Sequence, residues 1–425
     1  MKKITLILFN LCLFCSPVLF AQNWNQAAAL PFGDRYDDVF FLTEDLGWTV
    51  SGVGSIFKTE DGGDTWSSMY TNPQYYFRAL EFINEDVGFV GSLDSVFLKT
   101  EDGGSTWTDI QDLLPVPIKG ICGLSHVGDH VFGVGIWSYP AYFIKSEDQG
   151  QSWAHQDMSA YADGLVECHF VTKNLGFVAG LKEDVGAVIL KTTDGGATWE
   201  QVLDTEGGSE YIWKLDFVTE EIAYGVVESF SNPARIVKSI DGGDTWEVLP
   251  VATEIIDLQG IGFLNETTGW VGPRNQKMYE TQDGGLTWTE GVGFQNINRI
   301  FRVSPNLVYA SGYQVYKFDN PNPVSVTTPP ASTEHGFLST SPNPFTATIN
   351  TKIRIDNRTF ARLDLFDSAG QRIQNIHVGE LAKGEHQFTL ELPKAQVYPA
   401  GVYFLVLRTN EGFISTTILK ENARD

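Results

Sequence analysis

Six aspartates occupy the same place in a motif that recurs along the middle of the chain. Carboxylates repeated in this way are candidates for calcium binding or for acid–base catalysis. The motif is Ser/Thr-x-Asp-x-Gly-x-Ser/Thr-Trp; its aspartates are Asp61, Asp102, Asp148, Asp194, Asp241 and Asp283, and its tryptophans are Trp66, Trp107, Trp153, Trp199, Trp246 and Trp288. Six equal copies spread around a repeat cannot converge on one site. We therefore interpret them as structural turns and predict no catalytic residue, no metal and no cofactor.

Each motif has the composition of a tight turn between two strands. The aspartate can accept hydrogen bonds from backbone N–H groups of its own turn, and the glycine two residues later permits a positive φ. A short strand precedes each copy, as in residues 55–58 and 96–99. Successive motif tryptophans are 41 to 47 residues apart, which is the size of one four-stranded propeller blade. Each motif is therefore predicted to join the third and fourth strands of a blade.

A second pattern precedes each turn and supplies two more strands. It consists of an apolar strand, a polar bend and then typically Gly-aromatic-Val, as in residues 39–52 and 80–92. A seventh copy, residues 300–318, ends before any aspartate motif, while Trp24 stands where a motif tryptophan would stand. We expect residues 22–28 to supply the missing fourth strand. The predicted fold class is all-β, with a seven-bladed β-propeller over residues 22–318.

The repeated motif resembles the Asp-box, or BNR repeat, of sialidases, sortilin and xyloglucanases. With Gly-aromatic-Val before it, the repeat most resembles the photosystem II assembly and stability factor family, over about residues 22–318. The resemblance implies the propeller fold. It says little about function, because the pattern is the scaffold and recurs in proteins of unrelated activity.

The two ends of the chain differ from its middle. Residues 1–21 have a basic start, an apolar run and a small residue before position 22, which predicts a secretory signal peptide. No other apolar run is long enough to span a bilayer, so no transmembrane segment is expected in the mature chain. A formal charge of −24 argues against a nucleic-acid partner. Residues 319–337 are rich in proline, serine and threonine and are predicted to be a linker.

Residues 338–425 alternate strand-like segments with Gly, Pro and Asn turns, which predicts a small immunoglobulin-like β-sandwich after the propeller. The segments SPNPF (341–345), RLDLFDSAGQRI (362–373) and YPAGVYFLVLRT (398–409) resemble the C-terminal sorting domain of type IX secretion. The resemblance implies recognition by the outer-membrane translocon. The expected location is secreted or on the outer cell surface, reached through the periplasm, and release or anchoring of the cargo stays open.

Aromatic residues gather in the longer loops between blades, where rings can stack on sugars or anchor a peptide. Arg78 opens a first strand and matches Trp213 and Gln259 in position, which predicts a place near the channel mouth. The candidate ligand-binding residues are Tyr75, Tyr76, Arg78, Trp137, Tyr139, Tyr211 and Trp213. The alternative is that these rings only seal gaps between blades. We predict a binding protein for an extracellular glycan or protein.

The rival hypothesis is a sialidase- or xyloglucanase-like glycoside hydrolase on the same ring. Such an enzyme needs two carboxylates about 5–9.5 Å apart in one pocket. No HExxH, GxSxG or phosphate-binding glycine loop occurs, and the arginines do not follow the sialidase pattern. The histidines have no convincing metal-ligand spacing. Cys122 and Cys168 hold equivalent places in adjacent blades, and either a disulfide or two buried thiols is compatible with the sequence.

Overall fold

The structure is a computed structural model that describes residues 24–31, 35–136, 140–291, 293–319, 336–356, 358–366, 372–391, 400–409 and 412–421. These ranges consist of strands and connecting segments, with a single short 3-10 helix at Gln111–Leu113. Among the described residues, no helix has the length and apolar character needed to cross a membrane. The predicted all-β class is confirmed.

Seven four-stranded antiparallel sheets occupy the described residues between 24 and 319. Sheet 1 contains β2 (Tyr36–Phe41), β3 (Gly47–Ser51), β4 (Ser55–Thr59) and β5 (Ser67–Thr71). Sheet 2 contains β6 (Phe77–Phe82), β7 (Gly88–Ser92), β8 (Phe97–Thr100) and β9 (Thr108–Asp109). Sheet 3 contains β10 (Gly123–Val127), β11 (His130–Gly135), β12 (Tyr142–Ser146) and β13 (Ala154–Asp157). Sheet 4 contains β14 (Gly164–Phe170), β15 (Gly176–Lys182), β16 (Gly186–Thr192) and β17 (Glu200–Asp204). Sheet 5 contains β18 (Glu210–Phe217), β19 (Ala223–Ser229), β20 (Arg235–Ser239) and β21 (Glu247–Pro250). Sheet 6 contains β22 (Leu258–Phe263), β23 (Gly269–Pro273), β24 (Tyr279–Thr281) and β25 (Thr289–Glu290). Sheet 7 contains β26 (Arg299–Ser304), β27 (Leu307–Ser311), β28 (Val315–Asp319) and the N-terminal strand β1 (Trp24–Gln26).

The first strands of the sheets form a closed ring. β2, β6, β10, β14, β18, β22 and β26 contact one another in that order, and β26 contacts β2. The N-terminal strand β1 pairs with β28, with Trp24 opposite Phe318. Sheet 7 is therefore built from both ends of this part of the chain, and the first strands surround a common axis.

Antiparallel pairing separates the connections into two faces of the ring. At one end the Asp-box turns lie beside the bends between first and second strands; for example, the Gly62 N–H donates to the Asp45 carbonyl at 2.9 Å. We call this end the Asp-box face. At the other end the turns between second and third strands meet the loops between sheets, as where the Asn72 N–H donates to the Gly54 carbonyl at 2.8 Å. We call this end the loop face.

Aromatic side chains hold neighbouring sheets together by a repeated contact. In sheet 4, Phe170 stacks on Phe132 of sheet 3 with ring centroids 3.6 Å apart, and Trp199 meets Phe170 edge-on at 6.4 Å. The same three-ring arrangement recurs around Phe82, where Trp48 stacks at 3.6 Å. These large apolar rings explain why the chain places an aromatic residue in each second strand, since each ring buries area against the next sheet.

The strands after residue 335 form two further sheets. The first contains β29 (Gly336–Ser341), β30 (Thr348–Ile355) and β33 (Gly384–Glu391), and the second contains β31 (Thr359–Phe366), β32 (Arg372–Leu381), β34 (Gly401–Thr409) and β35 (Gly412–Lys420). Alternate residues such as Ile349 and Ile353 from the first sheet share a buried apolar cluster with Leu363 and Leu405 from the second. The alternation of buried and exposed residues is what one buried sheet face requires.

Candidate functional site

The carboxylates of the repeated aspartates accept hydrogen bonds from residues of their own turns. Asp61 accepts hydrogen bonds from the Thr65 N–H at 2.8 Å, the Thr65 hydroxyl at 2.6 Å and the Thr59 hydroxyl at 2.8 Å. Gly62 and Gly63 have φ values of 66° and 84°, where a β-carbon is disfavoured. The other five copies repeat this arrangement at Asp102, Asp148, Asp194, Asp241 and Asp283. Hydrogen bonds from Ser152 and Ser146 lower the pKa of Asp148 to about 2.

A different set of side chains meets on the ring axis at the loop face. In five first strands the register shifts at an equivalent position, which adds one residue and turns its side chain toward the axis. Side chains from these shifted positions and from the residues beside them form what we call the axial cluster: Arg35, Asp37, Arg78, Trp213, Glu228, Gln259 and Asn298.

Asn298 lies at the centre of the axial cluster. Its Oδ1 accepts hydrogen bonds from Arg35 Nη2 at 2.7 Å, Arg78 Nη2 at 2.9 Å and Trp213 Nε1 at 2.9 Å. Its Nδ2 donates to the Asp37 carbonyl at 2.5 Å. Asn298 is completely buried. One amide therefore joins side chains from sheets 1, 2 and 5 to sheet 7, which fixes their relative positions.

Two arginines share one carboxylate in the axial cluster. Arg35 Nε lies 2.9 Å from Asp37 Oδ1, and Arg78 Nη1 contacts the same oxygen. The Arg78 guanidinium also lies over the Trp213 ring, 4.8 Å from its centroid, an arrangement in which a cation is attracted to the ring face. Arg78 is only 3% exposed. Its charge is therefore committed to neighbours, and its role is to position the surrounding side chains.

A pair of acids lies beside the arginines. Burial, together with the negative charge of Asp257, raises the pKa of Glu228 to about 7. Gln259 Nε2 donates to Glu228 Oε1 and so opposes the shift. Arg274, about half exposed, lies 3.9 Å from Asp257. The acid pair can therefore hold a proton near neutral pH and release it when a cation approaches.

The ring axis is filled one step farther from the loop face. Glu167 contacts Lys214 at 2.7 Å and Arg299 at 3.1 Å, and Arg299 lies 3.7 Å from Asp38. Burial raises the pKa of Asp38 to about 6 against the opposing charges of Arg299 and Lys214. These buried ion pairs form a floor beneath the axial cluster.

A third layer continues toward the Asp-box face. His126 Nδ1 lies 2.7 Å from Glu81 Oε1, and His169 stacks on Phe217 with centroids 4.6 Å apart. Burial lowers the pKa of His169 to about 4, so that this ring is neutral at physiological pH. Among the described residues, no group of three or more His, Cys, Asp or Glu side chains has a geometry that could hold a metal ion. Cys122 and Cys168 are both buried and form no disulfide.

The structure brings four of the seven candidate ligand residues together. Tyr76, whose pKa is raised by burial, interacts with Asp37, and its ring packs on Gly52 so closely that a β-carbon there would lie 2.8 Å away. Tyr211 meets Trp213 edge-on at 5.8 Å, beside Arg78. Burial raises the pKa of Tyr211 to about 12.

The remaining candidates lie elsewhere or outside the described part of the chain. Tyr75 packs its ring 6.2 Å from Phe77 in the cluster between sheets 1 and 2. Trp137 and Tyr139 fall outside the described residues. Sequence reasoning missed the residues Arg35, Asp37, Glu228, Asp257 and Asn298. For Asp37 a signal existed, because it occupies the same strand position as Arg78, Trp213 and Gln259.

A ring of four-stranded antiparallel sheets with Asp-box turns defines the class of this protein as a β-propeller with BNR-type repeats, which confirms that prediction. The sequence profile of the family described as photosynthesis system II assembly factor YCF48 matches residues 16–121. No curated protein matches the chain.

Solved structures share this fold at low sequence identity. A structure described as YCF48 bound to D1 peptide has a TM-score of 0.55 and 20% identity, covering 70% of this chain and 97% of that one. YCF48 from Cyanidioschyzon merolae has a TM-score of 0.57 and 18% identity, covering 70% and 99%. The GH74 xyloglucanase from Xanthomonas campestris has a TM-score of 0.54 and 12% identity, covering 94% and 74%.

Proposed function

We propose that this chain is an exported binding protein that holds a segment of a partner protein on the loop face, over the axial cluster. In this proposal residues 22–318 form one seven-bladed propeller, with the seven sheets as blades. The observation that carries the proposal is the axial cluster itself. Asn298, Arg78 and Trp213 form a rigid, charged centre on a closed floor, and the aromatic residues Tyr76 and Tyr211 border it.

The distribution of exposed apolar side chains supports a protein partner. Phe230 is 64% exposed in the turn between the second and third strands of sheet 5, and Ile255 is 54% exposed in the loop that follows that sheet. Val53, Leu113 and Val116 are also exposed, and they too lie in turns or loops of the loop face. Protein interfaces typically bury apolar and aromatic side chains, so these exposed residues are available to a protein partner.

One structure with this fold is described as bound to a peptide. At 20% identity that likeness extends to the fold alone, so the argument for this chain rests on its own loop face. A peptide carboxylate can reach Arg35 or Arg274, which keep exposed fractions of 13% and 49%, and a peptide amine can bind the Glu228–Asp257 pair.

Export is the second part of the proposal. A signal peptide at residues 1–21 and a type IX sorting domain at residues 338–425 would carry the propeller through the periplasm to the outside of the cell. The two sheets formed by β29–β35 have an apolar cluster of their own, which supports an immunoglobulin-like unit. Removal of residues 338–425 is expected to leave the protein in the periplasm. Normal export of the truncated chain would contradict this assignment.

A glycoside hydrolase remains the second candidate, because the fold resembles that of a xyloglucanase over most of this chain. The Glu228 and Asp257 carboxyls lie close enough for Asp257 to raise the pKa of Glu228, whereas inverting and retaining hydrolases hold their carboxyls about 5–9.5 Å apart. Incubation with xyloglucan and with sialylated oligosaccharides tests this candidate. Product release that is lost in Glu228→Gln would favour the enzyme over the binder.

The binding proposal is tested by selecting peptides from a displayed random library with the full chain. Affinity of the selected peptides is then measured for Tyr76→Ala, Tyr211→Ala and the double variant Tyr76→Ala/Arg78→Ala. Gln74→Ala, an exposed change in the same loop, is the matched control. We expect the single variants to lose at least about tenfold in affinity. Unchanged affinity in all three variants, with melting temperatures preserved, would contradict the proposal.

A further inference from the structure

A second concave site lies on the loop face at sheet 7. Its cavity measures about 290 Å³ and is bordered by Gln26, Leu30, Gln295, Tyr313, Gln314 and Tyr316, with small residues at its rim. We call it the sheet-7 pocket. It shares no residue with the axial cluster. Its volume is just below the roughly 300–1,000 Å³ of small-molecule pockets, which suits a ligand of one or two rings.

The walls of the sheet-7 pocket are fixed before any ligand arrives. Gln314 is 5% exposed; its Oε1 accepts the Leu30 N–H at 3.0 Å, and its Nε2 donates to the Leu30 carbonyl at 3.2 Å. Tyr316 stacks on Phe294 with centroids 3.7 Å apart, and Trp24 meets Phe294 edge-on at 6.2 Å. A ligand therefore pays little ordering cost at these walls.

The exposed groups of the pocket are amides and one aromatic ring. Gln26 and Gln295 are exposed, and Tyr313 is 39% exposed in the turn between β27 and β28. Each amide offers both donors and an acceptor, while the tyrosine presents a flat apolar face with a polar tip. This combination fits a molecule with many hydroxyl groups on one edge and C–H groups on a flat face.

The uncharged lining of the pocket favours a neutral, polar ligand. Among the residues that the structure describes, no charged side chain borders the pocket, although the whole chain has 53 Asp and Glu and 29 Lys and Arg residues. Burying a charged group without a countercharge is costly, and a purely apolar ligand would leave the amides without partners. We propose that the sheet-7 pocket binds a neutral sugar ring, with Tyr313 stacking on the ring and Gln26 and Gln295 bonding its hydroxyl groups.

The test is saturation-transfer-difference NMR on the full chain with cellobiose, maltose and N,N′-diacetylchitobiose as neutral probes and glucuronic acid as a charged probe. We expect saturation transfer to at least one neutral probe and none to glucuronic acid. Tyr313→Ala and Gln295→Ala should weaken that binding at least about tenfold, whereas Tyr313→Phe should retain it. Because all three changes are at exposed positions, folding should be preserved.

Matched controls separate this site from the rest of the loop face. Phe230→Ala removes an exposed aromatic residue from the corresponding turn of sheet 5, and Gln74→Ala removes an exposed glutamine from another loop. Both should bind the sugar normally. The proposal is overturned if no neutral probe binds, if glucuronic acid binds equally well, or if the controls weaken binding as much as Tyr313→Ala. Loss of sugar binding in Tyr76→Ala alone would move the sugar to the axial cluster and also overturn it.

Discussion

Replacing Asn298 with alanine is the sharpest perturbation of the axial cluster. The amide is completely buried and joins sheet 7 to Arg35, Arg78 and Trp213 through one oxygen and to the Asp37 carbonyl through its nitrogen. Alanine removes the acceptor and the donor together. No other polar atom of residue 298 can replace them, because the alanine side chain has none.

The magnitude follows from which partners can reach water. Arg35 is 13% exposed at its side chain and can rehydrate, but Arg78 and Trp213 are 3% and 7% exposed and cannot. A buried donor left without an acceptor costs about 1–3 kcal/mol. Two such donors give an expected loss of about 2–6 kcal/mol in the free energy of unfolding.

Urea unfolding followed by tryptophan fluorescence measures this loss, with Asn275→Ala as the control. Asn275 is exposed in a turn of the same loop face, and its replacement should change the free energy of unfolding by less than about 0.5 kcal/mol. Asn298→Asp keeps an acceptor for the arginines but cannot donate to Asp37, so it should fall between alanine and wild type. Equal stability of Asn298→Ala and Asn275→Ala would refute the hydrogen-bond reasoning.

Three further changes test other parts of the structure. Phe170→Ala removes a ring stacked between sheets and should cost about 3–5 kcal/mol in urea unfolding, whereas Phe230→Ala, at an exposed ring, should be nearly neutral. The low pKa of Asp148, about 2, contributes stability that is present above pH about 4 and lost as the pH falls toward 2. In Asp148→Asn the melting temperature should therefore depend less on pH between about 4 and 2. An unchanged pH dependence would contradict a stabilising role of the Asp148 hydrogen bonds in the turn. The raised pKa of Glu228, about 7, acts in the opposite direction: stability is lost as the pH rises from about 4.5 through 7. Glu228→Gln should remove this loss in melting curves at pH 5 and pH 8, and a persistent loss would contradict the burial argument.

The repeat was predictable because each of its residues has a local role. The motif aspartate accepts hydrogen bonds within four residues, and Gly63 needs its positive φ whatever the rest of the chain does. The motif tryptophans were predictable as well, because they recur once for each four-stranded sheet. Pattern and propensity therefore indicate the strands and their turns correctly.

The candidate site was only partly predictable because its contacts join distant parts of the chain. Asn298 and Asp37 are separated by 261 residues, and Asn298 and Arg78 by 220. Arg78 and Trp213 could be placed together by aligning repeats, but Asn298 precedes a strand in a repeat without the aspartate motif. The burial of Arg78 could not be predicted from the sequence either, because it depends on how side chains from five sheets meet at one axis.

Hydrogen–deuterium exchange of the full chain, with and without a peptide selected by its binding, tests the central claim most directly. If the axial cluster is the ligand site, the peptide slows exchange in residues 72–78 and 209–213. The Asp-box turns, for example residues 60–66 and 193–199, should exchange at the same rate in both samples. Protection of those turns with no change at residues 72–78 and 209–213 would contradict the account.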